Sequence, residues 1–269
     1  MEVKLNNIGY KYNLNTKLEY EVLKNINISF KENKINAIIS NSGNGKTTLL
    51  KIIAGLLSPV NGHVDFIKKN NEKIPTIGLV FKNPEDQFFH LTVKQELEFA
   101  IKNLPLKKRL EKIVKCLKSV GLDETYLKKD PFKLSKGEMK KIALACVLVN
   151  DPKVILLDEP TIGIDDMSKD NLIKLMRNLK TKNKIIIISG RDTDFINKIA
   201  DYIYVLNKGE IIMEGNKYEV FKNDILPKLN IKIPKIIEFS KIASNSGIKL
   251  DYHDDIKDLM KDIYRNVTK

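Results

Sequence analysis

Two short segments of the sequence combine residue types that can bind and cleave a nucleotide phosphate. The first is a glycine-bearing loop that joins an apolar run ending at Ile39 to a segment whose apolar residues recur at helical spacing. Its glycines let main-chain N–H groups turn towards a polyphosphate, and the amino end of the next helix adds a partial positive charge. Lys46 would reach the β- and γ-phosphates, and Thr47 would offer a hydroxyl to Mg²⁺. The predicted ATP-binding residues of the loop are Ser40, Asn41, Ser42, Gly43, Asn44, Gly45, Lys46, Thr47 and Thr48.

This loop departs at one position from the usual phosphate-binding pattern. Its spacing fits G-x-x-x-x-G-K-[ST], with Ser40 in the place of the first glycine. Taken alone, the segment could also be a glycine-rich turn that happens to contain Lys-Thr. The flanking strand and helix, together with a second motif downstream, favour the phosphate loop.

The second segment is an apolar run, Val154–Leu157, that ends in Asp158, Glu159 and Pro160. A fully apolar strand would not normally end in two carboxylates unless they meet cations or a substrate. We expect Asp158 to bind Mg²⁺ together with Thr47, and we expect Glu159 to be the catalytic base that orients the attacking water. The alternative is a pair of surface acids at a strand end, and the lysine loop argues against it.

Two further residues are candidates for contact with a nucleotide. Tyr12 ends the first predicted strand and could stack on an adenine ring, with packing at the edge of the sheet as the alternative. Ser135, in the segment Leu134–Glu138, has the character of a helix N-cap, so its hydroxyl and the following N–H groups form a second anion-binding helix terminus. Without the other motifs, Ser135 would be an ordinary cap.

The elements that must position these residues alternate between strands and helices. Such alternation predicts an α/β fold with a mostly parallel sheet and the ligand at the carboxyl ends of its strands. From about residue 217 the pattern changes to short amphipathic helices. The predicted strands are 2–10, 22–30, 35–39, 77–81, 154–157, 184–189, 202–206 and 211–214. The predicted helices are 47–53, 92–103, 107–119, 139–149, one that is capped by Ser168 and ends near 180, and a short one from Asp192.

The composition favours a cytoplasmic protein without a nucleic-acid partner. The formal charge of +13 could indicate nucleic acid or an anionic membrane face. All but four basic residues are lysines, and asparagine and isoleucine are also abundant, so we interpret the charge as a compositional bias. The two cysteines lie in apolar helical patterns, so we expect a reducing compartment and neither a disulfide framework nor a metal cluster. We also expect neither an export signal nor a membrane span, because the sequence has no apolar leader and no long apolar run.

The order of the motifs resembles the nucleotide-binding subunits of ABC transporters. The matching segments are Tyr12, the loop ending at Thr48, Phe81–Lys82, the LSGGQ-like Leu134–Glu138, the DEPT sequence Asp158–Thr161 and the D-loop Gly163–Asp165. The resemblance implies a P-loop NTPase fold of the ABC type, with a mostly parallel core sheet, an antiparallel β subdomain and a helical signature subdomain at about 84–150. It also implies that the ATPase domain spans 1–216 and that a small C-terminal helical appendage spans 217–269.

The tail narrows this resemblance to the ATPase subunits of energy-coupling factor transporters for vitamins and transition metals. Residues 83–87, the segment 226–234 and the region of Gly247 carry it, and the hairpin at Leu18–Tyr20 is similar to one of that family's two paralogous ATPases. The resemblance implies ATP and Mg²⁺ as cofactors and a peripheral position at the cytoplasmic face of the membrane. The implied partners are a second ATPase subunit in a heterodimer or homodimer, a transmembrane coupling subunit and a membrane substrate-binding subunit.

In that family two ATPase subunits meet head to tail, and each ATP lies between the phosphate loop of one and the signature helix of the other. The residues that the resemblance implies to act in trans on the partner's ATP are Ser135, Lys136, Gly137, Glu138 and Asp165.

Five positions depart from the family pattern. Lys82 stands where a glutamine normally contacts Mg²⁺ and water, and Gly190 stands where a histidine normally contacts the γ-phosphate. Ser40, Lys136 and Glu138 replace two glycines and the glutamine of the usual motifs. Since the loss of one such stabilising group costs on the order of 10² in rate, we expect this chain's own site to bind ATP well and turn it over slowly. Faster chemistry is then expected at a site whose phosphate loop belongs to the paralogue.

An ATPase that drives uptake of a micronutrient is the leading interpretation. A regulatory ATP-binding subunit that closes the dimer without hydrolysis is favoured by Lys82 and Gly190 and disfavoured by the intact Asp158–Glu159 pair. The ATPase of a generic ABC transporter is a further alternative. An ABC-type protein that acts on DNA or ribosomes is disfavoured, because the sequence contains neither a long coiled-coil insertion nor two ATPase halves.

Overall fold

The computed structural model describes residues 1–68, 74–248 and 250–267. The strands are β1 (Glu2–Tyr12), β2 (Tyr20–Lys31), β3 (Lys34–Ile39), β4 (Asn61–Ile67), β5 (Ile77–Val80), β6 (Val154–Asp158), β7 (Ile185–Gly190), β8 (Tyr202–Asn207) and β9 (Glu210–Asn216). The helices are α1 (Lys46–Ile53), α2 (Val93–Ala100), α3 (Leu106–Ser119), α4 (Lys136–Leu148), α5 (Asp166–Lys180), α6 (Thr193–Ile199), α7 (Lys217–Lys222), α8 (Ile225–Lys228), α9 (Lys235–Asn245) and α10 (Ile256–Val267).

A six-stranded sheet with the order β5-β6-β7-β3-β8-β9 forms the centre of the molecule. Its first five strands are parallel, and β9 runs antiparallel to β8, which confirms the predicted mostly parallel α/β fold. Alternate residues of β7 face opposite cores. Ile185 and Ile187 pack with α1 and the N-terminal strands, whereas Ile186 and Ile188 pack with α4, α5 and α6. Burial on both faces explains why this strand is apolar throughout.

A second, three-stranded antiparallel sheet has the order β2-β1-β4. Strands β1 and β2 were expected from their alternating apolar residues, but β4 was not. Its sequence carries the exposed His63 and a partly buried Asp65 and forms the edge of the sheet, so its alternation of apolar and polar residues is weak. The strand is defined by its pairing with β1 rather than by its own pattern.

Two helices begin about three residues before their predicted starts, and the other starts lie within one residue of the prediction. Helix α4 begins at Lys136, three residues before the predicted Met139, because Ser135 and Glu138 cap each other's main chain in a capping box. The prediction that Ser168 caps α5 is wrong. Asp165 is the cap and accepts a 2.7 Å hydrogen bond from the Ser168 N–H, while Ser168 itself lies buried in the first turn.

Left-handed main-chain conformations occur at ten described residues other than glycine, and seven of them are asparagines. An asparagine tolerates this region because its short polar side chain hydrogen-bonds locally. Glu159 is one of the other three, with a φ of 46°.

The first two helices after β9 pack against the rest of the molecule. Phe221 of α7 and Leu226 of α8 are fully buried and belong to the same apolar core as α4, α5 and α6. Across the described ranges, no helix combines the length and the apolar character needed to cross a membrane.

Candidate functional site

The sheet brings the phosphate loop and the strand-end acids together. Strand β7 lies between β3, which leads into the loop, and β6, which ends at Asp158. The Thr47 hydroxyl donates a 2.7 Å hydrogen bond to Asp158 Oδ2, and the Ser189 hydroxyl donates a 2.5 Å bond to Asp158 Oδ1. A hydroxyl beside a buried carboxylate is an oxygen donor set that suits a hard cation such as Mg²⁺.

Lys46 is a buried cation held by its own loop. Its Nζ donates to the Ser40 carbonyl at 2.9 Å, to the Ser40 hydroxyl at 2.9 Å and to the Asn41 carbonyl at 3.1 Å. It also lies 3.4 Å from Glu159 Oε1, and both side chains are only 6% exposed. Burial lowers the pKa of Lys46, and the nearby Glu159 carboxylate opposes that shift. Ser40 therefore contributes a hydrogen bond at the position where the usual pattern has glycine.

Asparagine side chains tie the phosphate loop to distant parts of the chain. Asn41 Nδ2 donates a 2.6 Å hydrogen bond to the Leu229 carbonyl, just after α8. Asn44 Oδ1 accepts a 2.7 Å bond from the Lys208 N–H in the turn between β8 and β9. At Gly45, with a φ of 95°, an added Cβ would lie 2.7 Å from Leu23 Cδ2, so this loop position requires glycine.

Glu159 is held in a strained conformation at the carboxyl end of β6. Its main-chain N–H donates to the Ser189 carbonyl at 3.1 Å and to the Ser189 hydroxyl at 3.2 Å. Its own carbonyl accepts a 3.3 Å hydrogen bond from Lys140 Nζ. A left-handed conformation at a residue other than glycine costs about 1–3 kcal/mol. These contacts hold the strained main chain in place, with the carboxylate beside Lys46.

Arg191 belongs to this cluster and was not anticipated as a site residue. It follows Gly190 at the end of β7, its Nη1 donates a 2.8 Å hydrogen bond to Ser42 Oγ, and its Nε lies 3.4 Å from Glu159 Oε1. Nothing local in the sequence marks this contact, because Ser42 lies 149 positions away. The parallel order of β6, β7 and β3 was the one available signal, since it places the residue after β7 between the two motifs.

A cavity of about 300 Å³ opens over the phosphate loop. Its volume falls in the lower part of the range of about 300–1,000 Å³ that is usual for small-molecule sites. The lining residues are Tyr12, Tyr20, Val22, Ser42, Gly43, Gly45, Lys46, Thr47, Thr48, Lys82 and Glu159. The described residues that line it do not include those expected to act in trans, Ser135, Lys136, Gly137, Glu138 and Asp165.

Tyr12 lies at the cavity but packs against other tyrosines. Its ring stacks on Tyr20 with centroids 5.4 Å apart and an interplanar angle of 25°, and Tyr10 meets it edge-on. Its hydroxyl lies 3.1 Å from Thr48 Oγ1. Packing against neighbouring tyrosines at the end of the central strand β1 is thus the arrangement seen, and an adenine would have to use the remaining ring face or displace Tyr20.

The signature segment forms a separate, self-capped helix terminus. Glu138 Oε2 accepts hydrogen bonds from the Ser135 N–H at 2.9 Å and from the Ser135 hydroxyl at 2.7 Å, and Tyr126 donates a 2.5 Å bond to Glu138 Oε1. These bonds, with that from Tyr126 as the largest cause, lower the pKa of Glu138 to about 2. Lys136 is exposed, and Gly137 lines another cavity of about 410 Å³. A carboxylate thus occupies the N-terminus of α4.

Comparisons of the sequence with a family model and with known proteins agree on one family. The model of the ABC transporter family matches residues 23–162. The energy-coupling factor transporter ATP-binding protein EcfA3 of Oenococcus oeni is 33% identical over 267 residues, which cover 93% of this chain and 92% of that protein.

Solved structures agree with this assignment. The protein cbiO1 from Clostridium perfringens, described as part of the ABC transporter complex cbiONQ, is 32% identical with a TM-score of 0.70, and the match covers 89% of this chain and 98% of that one. The ATP-binding cassette MJ0796, solved as a dimer in a post-hydrolysis state with ADP and Pi, is 28% identical with a TM-score of 0.72, covering 80% of this chain and 98% of that one.

The family match spans more than half of the chain and includes both the lysine loop and the paired acids, while the relative matches nearly its whole length. This chain therefore belongs to the ABC transporter ATP-binding family, among the energy-coupling factor ATPases, and it binds ATP and hydrolyses it to drive transport.

Proposed function

We propose that this chain drives the uptake of a micronutrient, a vitamin or a transition-metal ion, as one of two paralogous ATPases in an energy-coupling factor transporter, and that its own ATP site turns over slowly. The observation that carries the ATPase part is the buried cluster in which Thr47 meets Asp158 and Lys46 meets Glu159 at adjacent strand ends. The names of the relative from Oenococcus oeni and of cbiO1 support the transporter type.

The contacts within this chain's own site support the following proposed roles. Main-chain N–H groups of residues 40–48 and the amino end of α1 bind the phosphates, and Lys46 binds the β- and γ-phosphate oxygens. Thr47 and Asp158 would hold Mg²⁺, which when bound neutralises charge on the phosphates. Glu159 accepts a hydrogen bond from the attacking water and orients it.

Two residues near the terminal phosphate position support slow turnover. Lys82 lines the cavity and brings a positive charge to the place of a metal-binding glutamine. Gly190 has no side chain with which to contact the phosphate.

The proposed partner completes each site across a head-to-tail interface. In that arrangement Ser135, Gly137 and Asp165 face the partner's ATP, while Lys136 and Glu138 add a positive and a negative charge where the usual motif is neutral. The dimeric MJ0796 cassette supports the pairing of two such domains.

We further propose that residues 1–216 form the ATPase domain, with a helical signature subdomain at about 84–150, and that residues 217–269 form an appendage. Membrane subunits for coupling and for substrate binding would hold the dimer at the cytoplasmic face.

A regulatory subunit that binds ATP without hydrolysing it is the second candidate, favoured by Lys82, Gly190 and the self-capped signature helix. The test is Mg²⁺-dependent ATP turnover of the purified chain across protein concentration, beside the Glu159→Gln variant. Turnover that rises with concentration and is lost in Glu159→Gln would show a working homodimer. Binding of ATP with background turnover would support the slow site and the need for a paralogue, and that paralogue should then restore turnover when added. If Glu159→Gln left unchanged the residual turnover of an assembled pair whose partner lacks its own catalytic glutamate, the regulatory role would be correct.

A further inference from the structure

The end of β7 places one arginine between the two halves of the nucleotide site. In the register of the sheet Ser189 pairs with Asp158 on one side, and Gly190 pairs with Ile39 on the other. The residue after Gly190 therefore leaves the sheet between the phosphate loop and Glu159. The next residue, Asp192, is fixed by a 2.8 Å ion pair with Lys169 and a 3.0 Å hydrogen bond from the Phe195 N–H, which anchors the main chain beside Arg191.

The guanidinium group of Arg191 bridges these two halves. Its Nη1 donates to Ser42 in the loop at 2.8 Å, and its Nε lies 3.4 Å from Glu159 Oε1. Lys46 Nζ lies 3.4 Å from the same oxygen. One carboxylate oxygen thus faces two cations, and both cations also contact residues of the phosphate loop.

Gly190 cannot easily be the source of a phosphate contact. A Cβ at this position would lie 3.2 Å from Cδ1 of Ile196, which is itself buried. A larger side chain would require Ile196 to move within the core formed by α4, α5 and α6. The neighbouring arginine is 48% exposed and is free of that restriction.

We propose that Arg191 contacts the γ-phosphate of ATP in this chain's own site, and that it moves from Glu159 to the phosphate when ATP binds. The planar guanidinium group donates two parallel hydrogen bonds to phosphate oxygens, so a triphosphate is a better acceptor than one carboxylate oxygen at 3.4 Å. The exchange keeps the arginine paired and releases Glu159 towards water. ADP lacks the terminal phosphate and does not trigger the exchange.

This inference rests on the nucleotide site proposed above, and it deepens the account of tight ATP binding with slow turnover. Arg191 makes the site discriminate triphosphate from diphosphate. Arg191 does not replace the glutamine that normally contacts Mg²⁺ at the position of Lys82, so turnover stays slow.

The test is calorimetric binding of the non-hydrolysable analogue AMP-PNP and of ADP, each with Mg²⁺, to the purified full chain. We expect Arg191→Ala to weaken AMP-PNP binding about tenfold or more and ADP binding by less than about twofold, the order of effect of one charge-assisted hydrogen bond. Arg191→Lys keeps the positive charge but cannot donate two parallel hydrogen bonds, so its AMP-PNP affinity should lie between those of the parent protein and Arg191→Ala. The matched control is Arg177→Ala, which removes an exposed arginine of α5 that donates a hydrogen bond to the Lys198 carbonyl.

Equal losses of AMP-PNP and ADP affinity in Arg191→Ala would show that the arginine only holds Ser42 of the loop in place, which would overturn the proposal. Unchanged affinity for both nucleotides would overturn it as well. Lys46→Ala separates this failure from failure of the site itself. If Lys46→Ala left the binding of both nucleotides unchanged, the proposed nucleotide site would be wrong, and the inference would fall with it.

Discussion

The side-chain amide of Asn41 donates a 2.6 Å hydrogen bond to the main-chain carbonyl of Leu229, so the phosphate loop is attached directly to the helical segment that follows β9. The two residues are 188 positions apart. A change in the loop conformation on nucleotide binding would therefore alter a contact with the segment that follows α8. The fully buried Leu226 anchors the same segment to the apolar core that contains residues of α4, α5 and α6.

Loss of this hydrogen bond should loosen the appendage locally. In Asn41→Ala we expect amide hydrogen exchange of residues 225–232 to accelerate about fivefold, the equivalent of about 1 kcal/mol for one partly buried hydrogen bond. Mass spectrometry of the exchanged peptides measures it. Asn27→Ala, which removes an asparagine bond to a carbonyl in the antiparallel sheet, is the control and should leave those peptides unchanged.

The hydroxyl of Thr47 should be needed for the metal rather than for the fold. Thr47→Val keeps the shape of the side chain but removes the donor to Asp158, so we expect turnover to fall on the order of 10² and the Mg²⁺ concentration for half-maximal rate to rise. A Mg²⁺ titration of ATPase activity checks both, in an assembled complex whose partner ATPase has its own catalytic glutamate replaced, so that only the site of this chain can turn over. Thr181→Val, whose hydroxyl bonds the Asn178 carbonyl at the end of α5, should behave like the parent protein. Unchanged Mg²⁺ dependence in Thr47→Val would contradict the proposed metal site.

Lys82 should slow the chemistry by its charge. Because it lines the cavity, Lys82→Gln removes a positive charge near the proposed metal, and we expect turnover to rise about threefold to tenfold, the equivalent of about 1 kcal/mol for an incompletely screened charge. Steady-state ATPase assays at fixed Mg²⁺ measure the change, in the same complex in which only the site of this chain can turn over. The comparison variant is Lys133→Gln, an exposed lysine whose only ion pair among the described residues is a 3.8 Å contact with Asp130. A rate that did not rise would remove Lys82 from the explanation of slow turnover.

Glu138 should make the stability of α4 dependent on acid pH. Hydrogen bonds from Tyr126 and Ser135 lower the pKa of Glu138 to about 2 from an ordinary value of 4.5. A carboxyl with a depressed pKa stabilises the fold fully above its unfolded pKa, and that contribution is lost as the pH falls through the folded pKa. The stability difference between the parent protein and Glu138→Gln should therefore be largest above about pH 5 and shrink towards pH 2.

Urea unfolding at a series of pH values measures this difference. Glu124→Gln, at an exposed glutamate 3.9 Å from Lys118, is the control. A difference that stayed constant from pH 6 to pH 3 would show that the Glu138 carboxylate does not depend on these hydrogen bonds.

The sequence predicted the parts of the molecule in which local pattern and global fold agree. The lysine loop and the paired acids each carry their own signal, and the parallel strand order is enough to bring Lys46 to Glu159. What it missed depends on contacts between distant positions. Strand β4 is weakly patterned and is defined by pairing with β1. Arg191 is one basic residue among many until the sheet places it beside Ser42.

The prediction at α5 failed for a different physical reason. Ser168 and Asp165 both have capping side chains, and the pattern cannot say which of them precedes the first turn. The structure selects Asp165 because Ser168 is buried in that turn.

The asparagines at left-handed positions, among them Asn7, Asn33 and Asn183, bear on how this sequence can drift. Only glycine, asparagine and, less often, aspartate enter that conformation at low cost. A lineage under pressure towards lysine, isoleucine and asparagine can therefore replace glycines at its turns without refolding the chain. At these positions we expect related sequences to exchange asparagine with glycine and to avoid β-branched residues. Part of the high asparagine content would then mark the positions at which the main chain must adopt the left-handed conformation.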